Sequence, residues 1–583
     1  MSSLRWLLLA LTLGAASAAE RPNILLMVSD DQGWWDVGVN GNPDITTPTL
    51  DRLAGEGVNL TRFYAAPVCS PTRAGLMTGR YALRVGVYNT RFGGDSLRLS
   101  ETTLAEVLKK VGYRTGVFGK WHLGGYAPYR PEQRGFDTAL TFTHGHHERY
   151  NYPELLLHGQ PVASRGHITD ILADSAAAFI EESGEQPFFA YVPFNVPHSP
   201  HYVDDEYIEP YLKKGLALRD ARIYGMITHM DEAVERLLGA VDRAGKRDET
   251  LVIFLGDNGG VSRHTRLWLR GGKASPFEGG LRVPAFFRWP GKIPAGKASD
   301  AMTSHLDILP TLCAILGVAP PQQLDGKSLW PLLQKGDGES PHERLFHVWD
   351  RHRPTTKRGW SVTEPRWKLT YEGLYDLEAD RSEEHDVSEE HPDVAKRLRK
   401  AFVTWLAEVT KDLDFEPVPI PVTKREPVLI EASWARVNGT HTTWASPGTK
   451  QSAGPDPLGD PLQKTGVNYT FAGYDWDTID AWSKPGESVL WRLDVADAGE
   501  YEVVAAYGCD PSDAGGTLRL SAGGSKLDAV VEATPERHVF ETRPLGRLRL
   551  QAGPVELKAE VVAAPGKELM TLNRIWLRPL KGR

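Results

Sequence analysis

Through the first half of the chain, short apolar runs alternate with amphipathic stretches, and most of the runs end in a polar cluster. Residues 23–28, 115–118, 187–194 and 250–255 are the runs. Apolar runs of about four to eight residues bounded by turn formers predict buried strands. Between them, residues 102–111, 168–182 and 219–244 carry apolar positions at helical spacing. In the last these are Ile223, Met226, Met230, Ala233, Val234 and Leu237. Strands alternating with helices imply a mostly parallel sheet covered on both faces. Ligands of such sheets bind beyond the carboxyl ends of the strands. Three polar clusters stand there: Ser29-Asp30-Asp31-Gln32-Gly33, Gly119-Lys120-Trp121-His122 and Gly256-Asp257-Asn258-Gly259-Gly260. The site is expected among them.

The rest of the chain divides by composition. Residues 20–340 form the α/β domain, and 341–411 a smaller region with strand-like pieces at 367–370 and 374–377 and a closing helix over 392–409. Residues 412–428 carry four prolines and mixed charge, which excludes a helix and makes a poor strand. They read as a linker. Residues 429–583 contain short alternating segments at 488–495, 500–507, 516–520, 547–550 and 555–560, separated by Gly, Pro and Asp. Such spacing predicts an antiparallel β-sandwich.

At the other end, Arg5, the apolar residues 6–13 and Ala16-Ser17-Ala18 make the three parts of a signal peptide over residues 1–19. That run is too short to span a bilayer, which takes about 20 apolar residues, and no later stretch is apolar enough. A soluble, exported protein is expected, periplasmic or secreted. With 67 Lys+Arg against 75 Asp+Glu, the formal net charge is −8. A nucleic-acid partner is disfavoured, and an anionic substrate needs a local cluster of cations. The three cysteines, Cys69, Cys313 and Cys509, exclude a disulfide framework.

One of them carries the strongest motif. Taken alone, Cys69 is a buried structural residue or a thiol nucleophile in need of a base. Its setting, Cys69-Ser70-Pro71-Thr72-Arg73 followed by Thr78-Gly79-Arg80, resembles the signature of the type I, formylglycine-dependent sulfatases at every defining position. The resemblance runs over residues 21 to about 410. It is closest in motif to arylsulfatases of the N-acetylgalactosamine-4-sulfatase kind, through Met230-Asp231-Glu232-Ala233-Val234, Asp257-Asn258-Gly259-Gly260, Leu269-Arg270-Gly271-Gly272-Lys273 and Glu278-Gly279-Gly280. It implies an alkaline-phosphatase-like α/β fold with a small antiparallel C-terminal subdomain, here extended by the all-β sandwich.

The resemblance also implies chemistry. Cys69 would be oxidised by a formylglycine-generating or anaerobic maturation enzyme to formylglycine, whose hydrate attacks sulfur with one hydroxyl and expels sulfate with the other. That splits a hard hydrolysis into two easier steps. Asp30, Asp31, Asp257, Asn258 and residue 69 would hold one divalent ion, Ca²⁺ or else Mg²⁺; the four side chains are hard oxygen donors, which suit such ions. Arg73 would steady the hydrate and the carboxylates, and Lys120 and Lys273 would hold sulfate oxygens. His122 would assist sulfate release, while His198, which also binds substrate, would protonate the leaving alcohol. His144, His146, His147 and His201 match no such position, and residues 144–150 read only as a rim for substrate.

The expected activity is hydrolysis of sulfate esters, with desulfation of a galactose- or N-acetylgalactosamine-type polysaccharide as the leading substrate class. A phosphonate or phosphodiester hydrolase, a sulfate transferase and an inactive glycan-binding relative are the alternatives. In the distal domain, which resembles carbohydrate-binding sandwiches, Trp444, Tyr474, Trp476 and Trp482 either stack on sugars or fill the core. Oligomeric state has no sequence signal.

Overall fold

A 10-stranded sheet forms the centre of the α/β region. Its order is Lys297–Ser299, Val58–Leu60, Ala285–Arg288, Thr250–Gly256, Asn23–Ser29, Phe188–Pro193, Arg114–Lys120, Thr138–Phe142, Glu154–Leu157 and Gln160–Ala163. The five strands from Thr250–Gly256 to Thr138–Phe142 are mutually parallel. This is a computed structural model. It describes residues 21–580 except 91–92, 143–144, 146, 148, 264–267, 351–352, 417, 438–439, 442–467 and 471–477. The signal-peptide stretch and His144, His146, Trp444, Tyr474 and Trp476 lie outside the described residues.

Both faces of the central strands Thr250–Gly256, Asn23–Ser29 and Phe188–Pro193 are buried, which is why they read as continuous apolar runs. Along Asn23–Ser29, Ile24, Leu26 and Val28 enter one core with the helices Cys69–Thr78, Leu104–Lys110 and Ile308–Leu316. Leu25 and Met27 enter the other, with Ile168–Glu181 and Leu218–Arg243. Cys313 packs in the first core. The arrangement is the expected alkaline-phosphatase-like one. Asp231, from the Met-Asp-Glu-Ala-Val motif, lies in the second layer. Its carboxylate accepts from the backbone N–H groups of Thr49 and Leu50 at 2.9 and 2.7 Å, where the helix Pro48–Gly55 begins. Its role is to cap one helix from another.

Leu345–Val348, Trp360–Thr363, Trp367–Thr370 and Leu374–Asp376 form an antiparallel sheet, against which the helix Pro392–Val409 packs. The distal region holds sheets of seven and six strands around one core. Its boundary differs from the expectation. Within the stretch read as a linker, Ile420–Val422 is a strand parallel to Ser488–Val495. Among the described residues it has a single partner, and proline is tolerated on an edge strand because no second ladder needs its N–H. Trp482 is fully buried in the sandwich core and its Nε1 donates to the Met570 carbonyl at 2.6 Å, so it fills the core and does not face a ligand. Among the described residues, no helix is long and apolar enough to cross a membrane.

Candidate active site

Adjacent parallel strands deliver the polar clusters side by side. Asp30 and Asp31 follow Asn23–Ser29, Asp257 and Asn258 follow Thr250–Gly256, Lys120 ends Arg114–Lys120, and His198 lies beyond Phe188–Pro193. Cys69 is the first residue of its helix, with Arg73 one turn on. All except His198 and Lys273 are buried, and those two are partly so.

The contacts are dense. The Arg73 guanidinium donates to Asp257 Oδ2 at 2.7 and 3.2 Å and to the Lys120 carbonyl at 2.7 Å. Lys120 Nζ reaches Asp30 Oδ2 at 2.7 Å, and Lys273 Nζ reaches both Asp31 oxygens at 2.7 and 2.9 Å. Asn258 Nδ2 donates to Asp31 Oδ1 at 2.9 Å, and the Asp31 N–H to Asp257 Oδ1 at 3.1 Å. These bonds hold Asp31 in the left-handed region, at φ 73°, a conformation that costs energy and recurs at functional sites.

One carboxylate oxygen of Asp30, one of Asp257 and the Cys69 sulfur lie within 4.8 Å of one another. Asp30 Oδ1 and Asn258 Oδ1 are buried without a hydrogen-bond partner. Two orphaned hard acceptors beside two further carboxylates fit a divalent cation bound through oxygen. Burial, opposed by Lys120 and reinforced by Asp257 and Asp31, pushes the Asp30 carboxyl well above its usual range; a bound cation favours the ionised form. Burial likewise raises Asp31, but Lys273, His198 and Lys120 together bring it below the ordinary value.

The two histidines differ. His122 Nε2 lies 2.8 Å from the Thr90 carbonyl and so donates to it, leaving Nδ1 a bare, buried acceptor. Burial and then Lys120 drive its pKa down to about 3, against Asp95. His198 donates from Nδ1 to the Ser199 carbonyl at 2.7 Å, and its Nε2 stands 3.9 Å from Asp31 Oδ2. Burial, then Lys273, hold it well below its ordinary value. His147 stands apart and bonds the Glu154 carbonyl, whereas His201 lies near enough to feel the charge of Asp31.

Sequence reasoning missed Tyr150. It is buried, so it is not part of a substrate rim. Its hydroxyl lies 2.6 Å from the His198 carbonyl and 2.8 Å from that of Asn195, pinning the loop that carries His198. No local pattern marks such a residue. If His198 has the acid role that the resemblance implies, Tyr150→Phe should lower kcat on alkyl sulfates about tenfold, because small displacements of such a group are costly, and leave aryl sulfates nearly unaffected; paired kinetics check this. Two further aromatics were also missed: Trp268, 55% exposed, stacks on Trp35 with ring centroids 4.5 Å apart. They sit on the chain segments that carry Lys273 and Asp31.

Comparison with known proteins agrees with this geometry. Residues 22–318 match the family model described as "Sulfatase", and 272–409 match "N-sulphoglucosamine sulphohydrolase, C-terminal". The chain is 34% identical over 367 residues to N-acetylgalactosamine-6-sulfatase of Mus musculus, covering 56% of this chain and 69% of that protein. It is 34% identical over 396 residues to arylsulfatase G of Rattus norvegicus, covering 58% and 73%. Among solved structures, Ps i-CgsB in complex with k-i-k-neocarrahexaose is similar with a TM-score of 0.63 and 31% identity, over 68% of this chain and 95% of that one. With the family model spanning half its length, including Cys69 and the Asp-Asn pair, the chain belongs to the sulfatase family and is a sulfuric ester hydrolase.

Proposed function

We propose that this sulfatase desulfates galactose- or N-acetylgalactosamine-type carbohydrates, from polysaccharides or their oligosaccharides. The observation that carries the reading is the meeting of Asp30, Asp31, Asp257, Asn258, Lys120, Lys273, His198 and residue 69 at the carboxyl ends of neighbouring strands. Similarity to an N-acetylgalactosamine-6-sulfatase and to a protein solved with a neocarrahexaose supports the sugar class. The paired Trp35 and Trp268 offer an aromatic face of the kind sugar rings stack on. The kinship in motif to N-acetylgalactosamine-4-sulfatases leaves the 4- and 6-positions as the first two to test. The chain is an exported enzyme, matured on residue 69 by a separate protein, with residues 20–340, 341–411 and a sandwich that begins with the strand Ile420–Val422 as its working units.

Asp30, Asp31, Asp257, Asn258 and residue 69 would hold Ca²⁺, or else Mg²⁺, with residue 69 as formylglycine; the bound group would supply a hydroxyl of lowered pKa and positive charge beside the sulfuryl group. Lys120 and Lys273 then turn from the carboxylates to the sulfate oxygens. Arg73 stays on Asp257 and keeps that carboxylate ionised and aimed. The bare Nδ1 of His122 accepts a proton. His198, neutral with Nε2 free of its own proton in this tautomer, must first gain one, which an arriving sulfate anion favours. It then protonates the leaving oxygen from Nε2.

The defining experiment is a desulfation screen of defined 4- and 6-sulfated oligosaccharides, with matched phosphate esters as the contrast. Turnover of phosphate esters alone would overturn the reading. Mass spectrometry should show the peptide containing residue 69 lighter by about 18 Da after maturation, CHO replacing CH₂SH. Full activity with an unmodified cysteine would refute the nucleophile.

A further inference from the structure

We propose that Lys368, in the small antiparallel sheet, is a positioning residue for the metal-binding loop. It acts by anchoring one turn on which the loops carrying Asn258 and Lys273 are both seated. The inference rests on Asp257 and Asn258 being metal ligands, and it concerns a residue far from them in the chain.

The anchor is a buried charge cluster. Lys368 is fully buried, and its Nζ lies 2.9 Å from Glu278 Oε1 and 3.0 Å from Glu383 Oε1. The other Glu278 oxygen accepts from the Tyr64 hydroxyl at 3.1 Å, and the Glu278 N–H donates to Glu383 Oε2 at 2.7 Å. The next cation, Arg282, stands 4.0 Å from Glu278. Lys368 is therefore the close ammonium for two buried carboxylates, and losing it leaves them under-compensated, which buried charges tolerate poorly.

Glu278 opens the short turn Glu278–Leu281, and the glycines after it are packed on both sides. The Gly259 N–H donates to the Gly280 carbonyl at 3.0 Å, and the Gly279 N–H to the Arg270 carbonyl at 2.8 Å. A Cβ on Gly259 would stand 2.0 Å from the Gly279 carbonyl oxygen, and one on Gly280 would stand 2.2 Å from that of Ser275 and 2.5 Å from that of Gly272. One on Gly279 would stand 2.7 Å from the Arg270 carbonyl oxygen, so all three residues are glycine because backbone meets backbone there. The Lys273 N–H closes the set by donating to the Gly260 carbonyl at 3.2 Å. With no slack in this packing, a shift of the turn carries Asn258 and Lys273 with it. This accounts for the Glu278-Gly279-Gly280 motif, whose residues do not themselves touch the site.

The test is calcium binding, measured calorimetrically with CaCl₂ on matured, calcium-stripped full-length enzyme. Lys368→Met should raise the Kd for Ca²⁺ about tenfold, the lower end of what outer-sphere partners of a metal cost. Glu278→Gln keeps the shape of the cluster, so it provides a folded second case, and should raise Kd by several-fold. A merely structural Lys368 would lower the melting temperature of calcium-free protein yet leave Kd within threefold of wild type. That result, in either folded variant, overturns the proposal. Asp257→Asn is the control: if it binds calcium as tightly as wild type, the metal site itself is misplaced, and the failure is of that reading and not of the positioning role.

Discussion

Asp257→Ala should abolish calcium binding and nearly all sulfatase activity. The side chain holds several groups at once. It is a proposed ligand, it accepts the Asp31 N–H that helps keep Asp31 left-handed, and it neutralises a fully buried Arg73. Truncation removes the ligand and leaves Asp30 and Asp31 facing each other without the ion. The loss should exceed the roughly 10–100-fold that removal of an outer-sphere partner costs. It also strands the guanidinium, a change worth about 3–5 kcal/mol when one member of a buried pair is lost. Asp257→Asn is the milder change: it keeps the shape and one acceptor oxygen, which can still take either the Asp31 N–H, now on Oδ1, or Arg73, now on Oδ2. It should fold, with weaker calcium binding and low activity that excess calcium restores in part. Retained activity of Asp257→Ala in chelator would remove Asp257 from the site.

His198→Ala should distinguish substrates by their leaving groups. A sugar alkoxide needs a proton in the transition state, whereas a nitrophenolate departs with little help. The variant should therefore lose roughly 10²–10⁴-fold on a sulfated sugar and far less on an aryl sulfate. Had His198 only bound sulfate, both substrates would suffer together through an interaction common to them. His122→Ala should behave differently. The departed alcohol takes no part in sulfate release, so both substrates should show a rapid burst of alcohol followed by slow turnover. A two-by-two comparison of these variants and substrates reads out both roles. Equal losses for His198→Ala on both esters would take the acid role away from it.

Much of this was legible in the sequence because the relevant signals are local. Continuous apolar runs marked strands buried on both faces, and the polar residues directly after them marked the carboxyl ends where Asp30, Lys120 and Asp257 lie. The segment from Cys69 to Arg80 carried the family within twelve consecutive residues. The distal sandwich was visible in its alternation, though its first edge strand, Ile420–Val422, was hidden by prolines that only an unpaired edge admits.

What tertiary structure decided was the partner of each charge. Lys120 meets Asp30 across 90 positions, Arg73 meets Asp257 across 184, and Asn258 meets Asp31 across 227. Periodicity reports which face of a segment is buried, not which distant group lies opposite it. The same holds for Tyr150 beneath His198, for Trp482 in a core and not at a ligand, and for Lys368 under the glycine turn. A side chain's chemistry is written in its own residue, but its pKa, its hydrogen-bond partner and its function depend on neighbours that the fold alone brings within a few ångströms.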